Sequence, residues 1–274
     1  MSSVRISTLA RVVVYPDHEE KLVDIVKGLK ENDVPYIVIG RMSNVLFRSG
    51  YYNGAIIKTT KINTNYVAED KLTLSCGANL NEAIRRLAER NLGGMEGLCG
   101  IPGTVGGMVK QNAGAFGYEI ADRFTEAVCY CAKTNIMRTM SKADMEFSYR
   151  DSILKRQELI LLSATFEPIY KAREQIFSEI KSYKTGRLLT QPTEYPSLGS
   201  VFKRNSGVGA GYYIDKAGLK GYSVGGARVS EKHAGFIVNV GGATADDYLK
   251  LIEYIKQRVY AVFCVELEEE VEII

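Results

Sequence analysis

The chain has no tryptophan and only two histidines, His18 and His233. A zinc site built on histidines is therefore not expected, and a serine–histidine–aspartate enzyme would have to use one of those two. The five cysteines, at 76, 99, 129, 131 and 264, are odd in number and form no framework. Cys129 and Cys131 do not have the CxxC spacing of metal or redox sites. Five reduced thiols in a reducing compartment are expected, and hence a cytoplasmic protein. Long apolar runs are missing as well. No window reaches the roughly 18 apolar residues of a membrane helix, so no membrane insertion is expected. The first residues also lack the apolar core of a signal peptide. Neither sign of charge dominates: 35 Lys and Arg against 32 Asp and Glu leave +3, too little to indicate nucleic acid.

What remains is an ordinary globular composition, 46% hydrophobic and 24% charged over 274 residues, enough for roughly two domains. Residues 11–15 read as a strand stopped by Pro16. Asp17 with Glu20 forms a capping-box pattern before a helix whose inner face is Leu22, Ile25, Val26 and Leu29. Residues 34–40 read as a buried strand, which makes the opening β-α-β and favours a parallel pair. Further strands are expected at 55–58, 71–77, 123–132 and 158–167. Helices are expected from Asn79, over 171–187, and after Thr244 with Asp247. The chain closes on an alternating strand pattern from Val265, with a switch after Glu269 that implies a bulge or a change of partner. A domain boundary is placed near residue 170.

Residues 93–117 hold nine glycines in 25 positions. A structureless loop of that length is rare in a compact domain unless it is functional. Gly100-Ile101-Pro102-Gly103-Thr104-Val105-Gly106-Gly107 and Gln111-Asn112-Ala113-Gly114 let a large anionic ligand reach the main chain, whose N–H groups make anion nests. The pattern is neither GxGxxG nor a P-loop. Gly40-Arg41-Met42-Ser43-Asn44 directly follows a strand and suits a phosphate, or is a plain β-turn. In Tyr149-Arg150-Asp151-Ser152, Arg150 is either a carboxylate ligand or a surface arginine paired with Asp151. Ser200 follows Gly199 and precedes Lys203 and Arg204; without a histidine base it suits proton donation better than nucleophilic attack. His233 taken alone reads as structural. Glu270 stands among Glu266, Glu268, Glu269 and Glu272, most simply solvated strand charges.

In order, the segments GRMSN, GIPGTVGGMVKQNAGAFG, YRDS, PSLGSVFKR, GGARVSEKHAGFIVN and LEEEV resemble the UDP-N-acetylenolpyruvoylglucosamine reductases of bacterial peptidoglycan synthesis, in the type II subgroup that lacks a substrate-covering insertion. The resemblance runs from about Val12 to the end. It implies an α+β fold: a two-lobed FAD-binding domain of the vanillyl-alcohol-oxidase (PCMH) type and a C-terminal α/β substrate domain. The lobes would span 1–58 and 59–170 and the substrate domain 171–274, with residues 265–274 returning to the second lobe.

It also implies an NADPH-dependent UDP-N-acetylmuramate dehydrogenase: NADPH reduces FAD, and the enolpyruvyl ether of UDP-N-acetylglucosamine is then reduced. Arg150 would polarise the substrate carboxylate, Ser200 would donate the proton and Glu270 would stabilise the intermediate. Gly40, Arg41, Met42, Ser43, Asn44, Gly103, Thr104, Gly106, Gly107, Asn112, Ala113 and Gly114 would bind FAD, and Tyr149, Lys203 and Arg204 the substrate. A small-molecule partner, no metal and a monomer are expected. This sequence departs from the family at Met42, where glycine is usual, at Ile6–Ala10 in place of an NTF-type motif, at Asn205 for proline and at Glu272 for arginine. Two other readings stand beside this one. One is a flavoprotein oxidase of the same fold, to which Cys99 could offer a covalent flavin link. The other is a catalytically degenerate paralogue that binds flavin or a sugar nucleotide, for which Met42 and Glu272 are the evidence.

Overall fold

The computed structural model describes residues 2–68 and 71–274, with the side chains of 67 and 68 left aside. The chain forms two compact units. The larger comprises Ala10–Arg41 and Asn53–Thr185; the C-terminal unit gathers Met1–Leu9, Met42–Tyr52 and Gly186–Ile274. Among the described residues no helix is long and apolar enough to cross a membrane.

The larger unit has two main sheets on one core. Five antiparallel strands run in the order Ile136–Ser141, Phe124–Cys131, Leu159–Phe166, Lys71–Ser75, Asn65–Ala68. A three-stranded sheet places Tyr51–Lys58 between Leu9–Val14 and Tyr36–Ile39. The parallel partner of Tyr36–Ile39 is therefore Tyr51–Lys58, with Tyr36 opposite Ala55, and not the first strand as the β-α-β opening predicts. The helix Glu19–Glu31 buries Leu22, Val23 and Val26 as its apolar period requires. Its N-cap is His18, without a side-chain cap; the Asp17 carboxylate faces Lys21 at 3.4 Å instead of forming the expected capping box. The helix Leu80–Ala88 is capped as expected, with the Asn79 side chain accepting from the Asn81 N–H.

The glycine-rich segment is not structureless. It contains the short helix Val105–Lys110, which buries Val105, Met108 and Val109. Two glycines in six residues cost such a helix about 2 kcal/mol relative to alanine. Packing is what holds it: a Cβ at Gly106 would lie 3.1 Å from the Cys76 carbonyl oxygen.

One apolar cluster joins Leu22, Val26 and Ile57 to Leu72, Leu74, Val105 and Val109. The segments assigned to separate lobes at 1–58 and 59–170 thus share a core. The expected boundary near 170 moves too. The helix Arg173–Thr190 is continuous, buries Ile176 and Ile180 in the same cluster, and contains the division at 185/186.

The C-terminal unit carries a four-stranded antiparallel sheet in the order Ser197–Ser200, Phe236–Asn239, Ala227–Val229, Ser223–Val224. The helix Ala245–Phe263 covers it with Tyr248, Leu251, Ile252, Ile255 and Val259. The predicted capping box is present: Thr244 accepts from Asp247 N–H at 3.1 Å, and Asp247 accepts from Thr244 N–H at 2.9 Å. Val4 and Ile6 complete this core, tied by the Asn239 side chain donating to the Val4 carbonyl at 2.9 Å.

The final segment does change partner. Glu269 bridges Phe202, and the strand Glu272–Ile273 then pairs in parallel with Val45–Leu46. It returns to a segment of the expected first lobe and not to the second, because the hydrogen-bonding edge open to it belongs to Val45–Leu46. Thr244→Ala is expected to cost about 1 kcal/mol and lower the Tm by roughly 2–4 °C, checked by thermal denaturation.

Candidate functional site

Each unit builds its own part of the expected machinery. In the larger unit, a Cβ at Gly40 would collide with the Thr104 hydroxyl. Thr104 is buried, and its Oγ1 has no hydrogen-bond partner among the described residues. A buried hydroxyl left unpaired costs about 1–3 kcal/mol. Gly107 has open space at its Cβ position apart from the same hydroxyl at 3.9 Å. Gly40 and Thr104 are thus in close contact, and the open space lies beside Gly107. Not every expected donor is available. The N–H groups of Val105 and Gly106 are engaged by the carbonyls of Ala78 and Cys76, at 3.1 and 2.7 Å. Gly106 serves close packing rather than anion binding.

The second half of the glycine segment is bolted to the Tyr149–Arg150 turn. Ser148 and Asp151 exchange backbone hydrogen bonds at 3.2 and 3.1 Å, leaving Tyr149 and Arg150 at the tip. Arg150 has φ 56°. Its guanidinium lies 5.0 Å from the centre of the Tyr149 ring and donates to the Gly114 carbonyl at 2.8 Å. Asp151, the acid next to Arg150 in sequence, is held by Arg156.

Gly114 must be bare, since a Cβ there would stand 2.5 Å from the Tyr118 carbonyl oxygen and 3.2 Å from Arg150 Nη1. Asn112 is almost fully buried, with both amide hydrogens engaged by Glu119 at 3.0 Å and by the Ser148 carbonyl at 2.9 Å. Its side chain therefore braces the segment instead of facing a cofactor. Ser152 adds a third bolt, donating to the Lys110 carbonyl at 2.8 Å. Ala113 is fixed by its N–H on Met108 and its carbonyl under Ile120.

Sequence reasoning missed two anchors of this segment. Asn81 accepts from Gly100 N–H and donates to the Ile101 carbonyl at 3.1 Å. Fully buried Glu96 accepts from Gly94 N–H and faces Lys171 at 3.4 Å, while Lys171 also holds Glu179 at 2.6 Å. Desolvation opposes the charge on Lys171, but the Glu179 hydrogen bond and the Glu96 charge outweigh it and raise its pKa. For Glu179, desolvation is likewise outweighed by Lys171, and its pKa falls. Only the acidic and basic residue types at 96, 171 and 179 hint at this in the sequence; their pairing is tertiary.

In the C-terminal unit, Met42 has φ 54° and a buried side chain. A left-handed non-glycine residue costs about 1–2 kcal/mol, a conformation that glycine adopts freely. Burial of the thioether offsets that cost here. Asn44 donates to the Glu270 carbonyl at 2.9 Å and its own carbonyl accepts from Glu272 N–H, so its side chain secures the C-terminus instead of a phosphate. Ser200 follows a bulge: three positions from Ser197 to Ser200 face two from Val238 to Phe236, with Gly199 at φ 81°.

The segment beyond Ser200 pairs with the C-terminal acids. Glu270 N–H donates to the Val201 carbonyl at 2.7 Å, and Lys203 N–H to the Glu268 carbonyl at 2.8 Å. Ser200 and Glu270, 70 positions apart, thereby lie on adjoining segments. The Lys203 ammonium also holds the Glu268 carboxylate, and Arg204 is exposed. His233 is structural: its Nδ1 accepts from Gly235 N–H at 3.1 Å, its ring packs on Phe236, and burial lowers its pKa.

The comparisons with known proteins agree with this division. The FAD binding domain family model matches residues 10–139, and the model for the C-terminal domain of UDP-N-acetylenolpyruvoylglucosamine reductase matches residues 191–274. The reductase of Caldicellulosiruptor saccharolyticus is 43% identical over all of this chain and 88% of its own length. The chain belongs to the UDP-N-acetylenolpyruvoylglucosamine reductase family. The Clostridium perfringens reductase is 40% identical over 98% of this chain and 88% of its own. The crystal structure of the Thermus caldophilus reductase superposes with a TM-score of 0.83 at 30% identity, covering 99% of this chain and 95% of that one. Within this family, Gly40, Thr104 and Gly107 lie in the part matched by the FAD-binding model, and Ser200 and Glu270 in the part matched by the C-terminal model.

Gly40→Ala is expected to cost about 1–3 kcal/mol through overpacking against Thr104 and to lower the flavin absorbance per protein. Lys171→Met should cost about 3–5 kcal/mol, since it leaves Glu96 buried without its cation. The network's contribution follows from the two shifts. Glu179, with its pKa lowered, contributes above the ordinary carboxyl range and loses that contribution as pH falls through its folded value. Lys171, with its pKa raised, contributes at neutral pH and loses it as strong alkali deprotonates it. Denaturant titrations of wild type and Lys171→Met across pH should converge at both extremes.

Proposed function

We propose that the chain catalyses reduction of UDP-N-acetylglucosamine enolpyruvate to UDP-N-acetylmuramate in peptidoglycan synthesis, with NADPH as the electron source. FAD, when bound, would supply hydride transfer between NADPH and the CH₂ carbon of the enol ether. The residues that would hold it are Gly40, Thr104 and Gly107. The room beside Gly107 and the Thr104 hydroxyl, which has no partner among the described residues, support that reading.

The protein's own part is electrostatic and protolytic. Hydride addition leaves negative charge on the adjacent carbon and its carboxylate. Arg150, held by the Gly114 carbonyl and the Tyr149 ring, would bind that carboxylate and strengthen its hold as charge grows. Ser200 Oγ would donate its proton to the same carbon and recover one from solvent. Glu270 would stabilise the intermediate beside it. Lys203 and Arg204 supply positive charge toward a sugar nucleotide, Lys203 with its ammonium shared with Glu268. The observation that carries the reading is the backbone hydrogen bond from Glu270 to Val201, which puts the proposed acid next to the proposed proton donor.

The decisive test is anaerobic: the flavin is reduced with NADPH, UDP-N-acetylglucosamine enolpyruvate is added, and reoxidation is followed by absorbance. Wild type should reoxidise rapidly. Ser200→Ala should reduce normally and reoxidise about 10²–10⁴-fold more slowly, the usual worth of a general acid. A reduced flavin that the substrate leaves untouched refutes the proposal.

A further inference from the structure

The acid at 270 is one of three in a row, Glu268-Glu269-Glu270. In an extended segment the side chains alternate, so a slip of one residue would present a neighbour in its place. The sequence of the run itself does not distinguish the three. The structure does so with two lysines from different elements. Lys203, following the Ser200 strand, holds Glu268. Lys256, on the helix Ala245–Phe263, holds Glu269 at 2.9 Å. Glu269 is half-buried, near the buried Leu267 and Val271, and Lys256 meets it there with a cation. At this point the backbone is also irregular: the N–H groups of Glu270 and Val271 both donate to the Val201 carbonyl, at 2.7 and 3.3 Å. Such an irregularity re-aims a side chain, and its register requires a lock.

We propose that Lys256 is a positioning residue for Glu270: by gripping Glu269 it fixes which of the three glutamates adjoins Ser200. The catalytic part of this inference rests on the reading of Ser200 and Glu270 given above; the structural part does not. Half-exposed ion pairs add little to global stability, so the effect is local to this segment.

The test compares Lys256→Met, Lys256→Arg and the exchange pair Lys256→Glu with Glu269→Lys in the FAD-loaded protein. Two readouts are taken: hydrogen exchange at the Glu270 amide, and the separate rates of flavin reduction by NADPH and reoxidation by the enolpyruvyl substrate. In Lys256→Met the Glu270 amide should exchange about tenfold faster and reoxidation at saturating substrate should slow about tenfold, the scale of a coupling between neighbours. Flavin reduction and Tm should stay as in wild type. Lys256→Arg and the exchange pair should restore both quantities. Unchanged exchange at Glu270 in Lys256→Met overturns the proposal. Faster exchange in a protein whose wild type never reoxidises with this substrate supports the lock and refutes the functional reading instead.

Discussion

Three hydrogen bonds between the Tyr149–Arg150 turn and the glycine segment hold the rest of the site in place. Arg150 reaches the Gly114 carbonyl, Asn112 reaches the Ser148 carbonyl, and Ser152 reaches the Lys110 carbonyl. Together they join two stretches nearly forty positions apart. A glycine-rich chain has much conformational entropy to lose, and a buried amide such as Asn112 is costly to leave unsatisfied. The bolts therefore work in both directions. They order a segment that would otherwise be flexible, and they aim an arginine whose nearest acid in sequence, Asp151, is already occupied by Arg156.

The start of the same segment is held by charge. Glu96 is completely buried, and it tolerates that position only because Gly94 N–H and Lys171 meet it. A buried ion pair is weak evidence for stability but strong evidence for specificity of position, since removal of either member strands the other. Asn81 clamps Gly100 and Ile101 between these two regions. Among the described residues, the buried hydroxyl left without a partner is that of Thr104, beside Gly40 and Gly107.

The C-terminal unit solves a different problem by backbone pairing. Gly199 in the left-handed region creates the bulge before Ser200, and the Val201 carbonyl that follows takes the Glu270 amide. The departures from the family pattern fall close by. Met42 accepts a left-handed backbone in exchange for a buried side chain, and its carbonyl is held by Ser3. Glu272 takes its place on the short strand beside Val45. Neither departure disturbs the contact between Val201 and Glu270.

Local patterns settled much of this protein without any coordinates. The apolar period of residues 245–263, the capping box at Thr244 and Asp247, and the strands at 124–131 and 159–166 are nearest-neighbour properties, and the ordered motifs were enough to suggest the family. The sequence also flagged the switch after Glu269. It misjudged what depends on contacts between distant residues: the strand beside Tyr36–Ile39 and the partner of the final strand. It did not assign the side-chain partners of Asn44 and Asn112. An asparagine offers the same donors to a phosphate or to a carbonyl, and three consecutive glutamates are interchangeable on paper. Only the folded chain, by placing the Val201, Ser148 and Gly114 carbonyls and the ammonium of Lys256 within hydrogen-bonding reach, decides which donor meets which acceptor.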